Sequence, residues 1–74
     1  MKLEFDQEAD ALYLRLKDGR VVETREVQRG VFVDYNRLGN PIGIEVLGVS
    51  KYTKGGELKL PDRILRLAYA TKTA

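Results

Sequence analysis

The chain has no cysteine, no histidine and no tryptophan, and its 74 residues include one methionine and one serine. Without cysteine there is no disulfide and no thiolate nucleophile, and without either residue the common sulfur and nitrogen ligands of zinc are missing. The imidazole that usually works as a general base near neutral pH is missing too. Ser50 has no plausible base beside it in sequence, and Lys51, Lys54 and Lys59 belong to no catalytic motif and read as solvating a loop. No phosphate loop or dinucleotide fingerprint occurs. Enzyme activity is therefore not expected, nor is a metal or a cofactor. Uninterrupted apolar runs fall far short of the roughly 18 residues that a membrane span needs, and Met1 opens onto a strand-like segment with no signal-peptide pattern. The expectation is an unexported, cytoplasmic protein without membrane contact.

A chain of this length buries only about 60% of the surface its unfolded form exposes. With disulfides and metals removed, association with a second subunit is the remaining way to supplement a small core, so a homodimer is expected. One domain over 1–74 is predicted, with 1–50 as the sheet region and 51–74 as a basic loop followed by a helix. The net charge of +2 is unevenly spread, with seven Lys/Arg against nine Asp/Glu in 1–50 and six against two in 51–74. A basic segment of that kind suits an anionic partner, the acidic half of a second subunit, or plain solvation.

What is present in abundance is alternation. Leu3 and Phe5 take turns with Lys2, Glu4 and Asp6, and Leu12, Leu14 and Leu16 with Tyr13, Arg15 and Lys17, up to the turn pair Asp18-Gly19. Residues 21–27 mix valines with charges on both faces, the pattern of an edge strand. After Arg29-Gly30, Val31, Val33 and Tyr35 alternate with Phe32 and Asp34, and a turn over Asn36 to Asn40 leads to Ile42, Ile44 and Val46. Pairing Tyr35 with Ile42 sets Val33 opposite Ile44 and Val31 opposite Val46, an apolar face of six residues. Gly55-Gly56 reads as a flexible joint. Beyond it, Pro61 at a first helical position, Asp62, and the stripe Ile64, Leu65, Leu67 and Ala68 predict a helix of about three turns that lies on the sheet of its own or a neighbouring subunit. The predicted fold class is α+β: an antiparallel β-meander of about five strands with one C-terminal helix packed on it.

Three blocks of the sequence carry a resemblance. Phe5-Asp6-Gln7-Glu8-Ala9-Asp10-Ala11-Leu12-Tyr13-Leu14, then Gly30-Val31-Phe32-Val33-Asp34-Tyr35, then Gly39 with Ile42-Gly43-Ile44-Glu45-Val46-Leu47 resemble, in order, the blocks of a prokaryotic family catalogued as domain of unknown function 2283. The resemblance covers residues 1 to about 51. The resemblance brings with it no established enzymatic activity or cofactor. Members are often encoded beside small proteins similar to ribosome-dependent or gyrase-directed toxins, which implies that some act as the neutralising partner of such a pair. The familiar antitoxin plan of a DNA-binding domain joined to a disordered toxin-wrapping segment is not evident in this sequence.

Two surfaces are candidates for function. The proposed pairing places Asp34 and Glu45 on the second face of the sheet with Phe32, and Tyr13 and Arg15 point the same way. Arg15 would bridge a carboxylate while the aromatic rings supply contact area, and Tyr13, Arg15, Phe32, Asp34 and Glu45 are the expected interface residues. The same face serves equally as a solvated surface with weak ion pairs. Asp6 and Asp10, which with Asp34 and Glu45 would be the obvious cation ligands, bracket a tight connection where turn capping accounts for them. The function expected is a protein-protein interaction module, extending to neutralisation of a small toxin. The alternative is a small nucleic-acid-binding protein that uses Lys51, Tyr52, Lys54, Lys59, Arg63, Arg66, Tyr69 and Lys72 of the basic C-terminal segment.

Overall fold

A computed structural model describes residues 2–73. Five strands, β1 (Lys2–Asp6), β2 (Ala11–Arg15), β3 (Glu23–Gln28), β4 (Val31–Tyr35) and β5 (Pro41–Leu47), form one antiparallel sheet in the order β1-β2-β5-β4-β3. The α+β class and the strand count are as the sequence predicts, but the strands do not follow one another across the sheet. Asp18-Gly19 bends the chain without closing a hairpin. The Leu16 N–H donates to the Ile42 carbonyl at 3.0 Å, extending the β2–β5 ladder, and the chain then crosses to the far edge, where the Val22 N–H meets the Tyr35 carbonyl at 2.9 Å. Hydrophobicity accounts for this order. Ile42, Ile44 and Val46 are all fully buried, which favours β5 at the centre with a strand on each side, whereas the charged β3 is tolerated only at an edge.

Val31 lies opposite Val46 and Val33 opposite Ile44, as predicted, while Tyr35 slips to face Pro41. Pro41 has no N–H to offer the ladder, so the register shifts between Asp34 and Tyr35. The connecting loop is closed by Asn36, whose side-chain oxygen accepts the N–H groups of Leu38 at 3.0 Å and Asn40 at 2.9 Å.

The helix α1 (Asp62–Thr73) lies over β5 of its own sheet, one of the two packings that the sequence left open. The Pro61 carbonyl accepts the N–H groups of Ile64 and Leu65, which makes Pro61 the residue before the first turn, and Asp62 complements the helix dipole. Ile64, 1% exposed, and Ala68 enter a core of Leu12, Leu14, Val31, Val33, Ile44, Val46 and Val49, with Leu67 at its margin. Leu65 points away and is 37% exposed, so the buried stripe is narrower than the sequence pattern.

Between sheet and helix the chain makes a 3₁₀ turn (Val49–Tyr52) and a small hairpin of β6 (Thr53–Lys54) and β7 (Glu57–Leu58). Gly55 and Gly56 are not a loose joint but the two central residues of its turn, at φ 60° and 83°. Positive φ at both positions is the requirement of the tightest hairpin turns and explains two adjacent glycines. Ile64 is the most deeply buried described residue of the C-terminal cover, so Ile64→Ala is expected to cost about 2–5 kcal/mol in urea unfolding, whereas Leu65→Ala changes stability by less than about 1 kcal/mol.

Candidate interaction surface

The face away from the helix is made of the alternate positions of the same strands. Lys2, Arg15, Gly43 and Asp34 form one row across β1, β2, β5 and β4, and Glu4, Tyr13, Glu45 and Phe32 form the next. Tyr13, Arg15, Phe32, Asp34 and Glu45 thus occupy one patch on three neighbouring strands. Tyr13 and Phe32 are half-buried among their neighbours, and Arg15 and Glu45 are exposed.

The patch is organised by a diagonal contact. The Tyr13 phenol slants across Gly43 and donates to Asp34 Oδ2 at 2.7 Å, and Asp34 Oδ1 accepts the Thr24 hydroxyl at 2.6 Å from the adjoining edge strand. One carboxylate therefore ties β2, β4 and β3 together over the top of β5. Gly43 permits this, because a Cβ there would collide with the phenol oxygen and sit 2.7 Å from the ring carbon that bears it. Burial first, then the hydrogen bond and charge of Asp34, push the Tyr13 hydroxyl up to about 12. The phenol is accordingly a proton-retaining donor and no base.

Arg15 differs from expectation. Among the described residues it bridges no carboxylate; its guanidinium lies over the Tyr13 ring, 5.7 Å from the centroid. Both Asp34 oxygens are already engaged by hydroxyl donors, and the row neighbours of Arg15 are the like-charged Lys2 and the uncharged Gly43, so the ring face is the available attraction. The ion pairs among the described residues are Lys2–Glu4 at 3.5 Å and Arg25–Glu23, both exposed.

Asp6 and Asp10 act within the backbone. Asp6 Oδ1 accepts the Ala9 N–H at 3.1 Å, and Asp10, in the left-handed region at φ 51°, accepts both the N–H and the hydroxyl of Ser50 at 3.0 and 2.7 Å. Asp10 and Ser50, 40 residues apart, thus tie the first turn to the 3₁₀ turn. Among the described residues no three or more acidic side chains gather where a metal ion would be held. Lys51, Lys54, Lys59, Arg63 and Arg66 are exposed, and Tyr52 leans on the core instead of standing free for base stacking. The side chains of Tyr69 and Lys72, also named for that role, lie outside the described residues.

Two members of the patch were not singled out from sequence. Gly43, inside an apolar strand, carried the usual mark of a close approach by another group. Thr24 carried none, since its role depends on which strand lies beside Asp34.

A five-stranded sheet with one face under a single helix and the other presenting an ordered polar and aromatic patch defines a small two-layer α+β domain. Residues 2–50, the whole sheet, match the model of the family described as Protein of unknown function (DUF2283), and the chain belongs to that family. No curated protein and no solved structure matches the chain.

Two outcomes follow from the diagonal contact. Gly43→Ala is expected to displace the phenol from Asp34 at a cost of about 1–3 kcal/mol, read from urea unfolding. The raised Tyr13 hydroxyl stabilises the folded chain fully below pH 10, the ordinary value, and that contribution disappears as pH rises to about 12. Tyr13→Phe is expected to remove this part of the alkaline loss of stability, and absorbance titration of the phenols should lose its latest component in the same variant.

Proposed function

We propose that this chain is a cytoplasmic protein-interaction module that covers a partner's surface and transforms no substrate. The observation that carries the reading is the cluster of Tyr13, Phe32 and Arg15 on the helix-free face, in which the Tyr13 phenol is held by its bond to Asp34 and Arg15 lies over the Tyr13 ring. Aromatic and arginine side chains dominate contact energies, and a side chain already fixed by its own hydrogen bonds loses less freedom on binding. The same face carries Glu4, Asp6, Glu26, Asp34 and Glu45 against Lys2 and Arg15. The partner chemistry that fits is a surface with cations around an apolar centre.

A toxin that works on the ribosome must approach phosphate and carries cations to do so. Neutralisation of such a toxin is therefore the specific form of this reading, in line with what the resemblance of the three sequence blocks implies. The competing reading, nucleic-acid binding by the exposed Lys51, Lys54, Lys59, Arg63 and Arg66, makes an opposite demand on salt. Five phosphate contacts lose about two to three orders of magnitude in affinity between 50 and 200 mM salt, whereas an interface centred on aromatic area changes little.

The test is binding of the chain to its genomic neighbour or to a partner isolated at equal stoichiometry after nuclease treatment. Phe32→Ala is expected to weaken the complex by about 2 kcal/mol or more and Arg15→Glu by about 1–2 kcal/mol, with circular dichroism unchanged. Capture that survives both substitutions, or that is abolished by nuclease, removes the helix-free face from consideration.

A further inference from the structure

The two edges of the sheet are unlike. The outer edge of β3 is unsuited to pairing: Glu23 and Arg25 pair with each other on it, and the register shifts between Glu26 and Gln28. β1 is a regular five-residue strand, exposed along its whole length, and Leu3 and Phe5 are 57% and 58% exposed on the helix side of the sheet. They lie opposite Leu14 and Leu12 and so continue the buried apolar face up to an open edge.

The backbone of that edge is also available. The Leu16 N–H donates to Ile42, so alternate residues of β2, including Leu12 and Leu14, turn their backbone groups toward β5. Ala11, Tyr13 and Arg15 then turn theirs toward Asp6, Glu4 and Lys2 of β1. Leu3 and Phe5 are left with their N–H and C=O groups directed outward, on the same two residues that expose apolar side chains.

We propose that β1 is the pairing edge for a second copy of this chain, joined antiparallel about a two-fold axis at Glu4, so that two sheets become one of ten strands. In this register the Leu3 of each copy exchanges backbone hydrogen bonds with Phe5 of the other. The four apolar side chains pack on the helix side, and each Lys2 meets an Asp6 across the junction. The two Glu4 side chains meet at the axis, each already paired with its own Lys2 at 3.5 Å. A two-fold axis perpendicular to the sheet keeps both helices on one side and doubles the helix-free face on the other. This edge is independent of Phe32 and Arg15, so the pairing and the partner-binding reading fail separately.

The test combines native mass with amide exchange. Wild-type chain at roughly 100 μM is expected at twice its 8.4 kDa mass, and Leu3→Pro, which removes an outward N–H and leaves the β2 ladder intact, is expected at 8.4 kDa with its strand signal retained. In the wild type the Leu3 and Phe5 amides should exchange slower by on the order of tenfold or more at high than at low protein concentration. A monomer at that concentration overturns the proposal. So does a dimer whose Leu3 and Phe5 amides exchange freely, or one dissociated by Phe32→Ala but not by Leu3→Pro.

Discussion

One helix cannot roof five strands. A helix with its side chains is about 10–12 Å across, while five strands at about 4.8 Å spacing extend roughly 19 Å from the first axis to the last. Most of what is distinctive in this molecule follows from that mismatch. The helix covers the middle of the sheet, and the residues packed with Ile64 and Ala68 come from β2, β5 and β4. The strands beyond its reach have two different solutions. β3 replaces apolar side chains with Glu23 and Arg25 on the uncovered margin, and Arg25 also lies 5.4 Å from the centroid of the Tyr35 ring. β1 keeps Leu3 and Phe5 and leaves them open.

The opposite face has no roof at all, and its order comes from polar contacts made sideways. A lone phenol on an open sheet face would sample several rotamers. Anchored on Asp34 across the gap that Gly43 provides, it becomes a fixed feature on which Arg15 rests. The same carboxylate reaches Thr24 in the edge strand, so the contact that shapes the surface also fastens the most polar strand to the sheet. Surface order and edge attachment are one arrangement, made by a side chain that is neither deeply buried nor ion-paired.

Period-two alternation made β1, β2, β4 and β5 legible, and with them the face on which Tyr13, Arg15, Phe32, Asp34 and Glu45 lie, because strand parity alone decides which residues share a side. Strand order was less legible. It depends on which strand most needs two neighbours, a comparison of whole strands that no local pattern such as Asp18-Gly19 encodes. The partner of Arg15 was misread for a related reason: charge complementarity suggested a carboxylate, but the competing hydroxyl donors Tyr13 and Thr24 are brought to Asp34 only by the folded sheet. The paired glycines at 55 and 56 read as a flexible joint because the alternation that marks a hairpin is missing beside them, since β6 and β7 are two residues each. The fate of Asp10 and Ser50, 40 residues apart, was beyond any local signal.

The separation of the sheet from its cover has a consequence in time. The last sheet strand ends at Leu47 and the helix is complete only at Thr73, 26 residues later. The five strands are complete without the helix, so assembly of the sheet and docking of its cover are separate events. Whenever the helix is undocked, Val33, Ile44 and Val46 belong to a platform with no lid. The chain is then an amphipathic raft that chaperones and other copies meet before the domain closes.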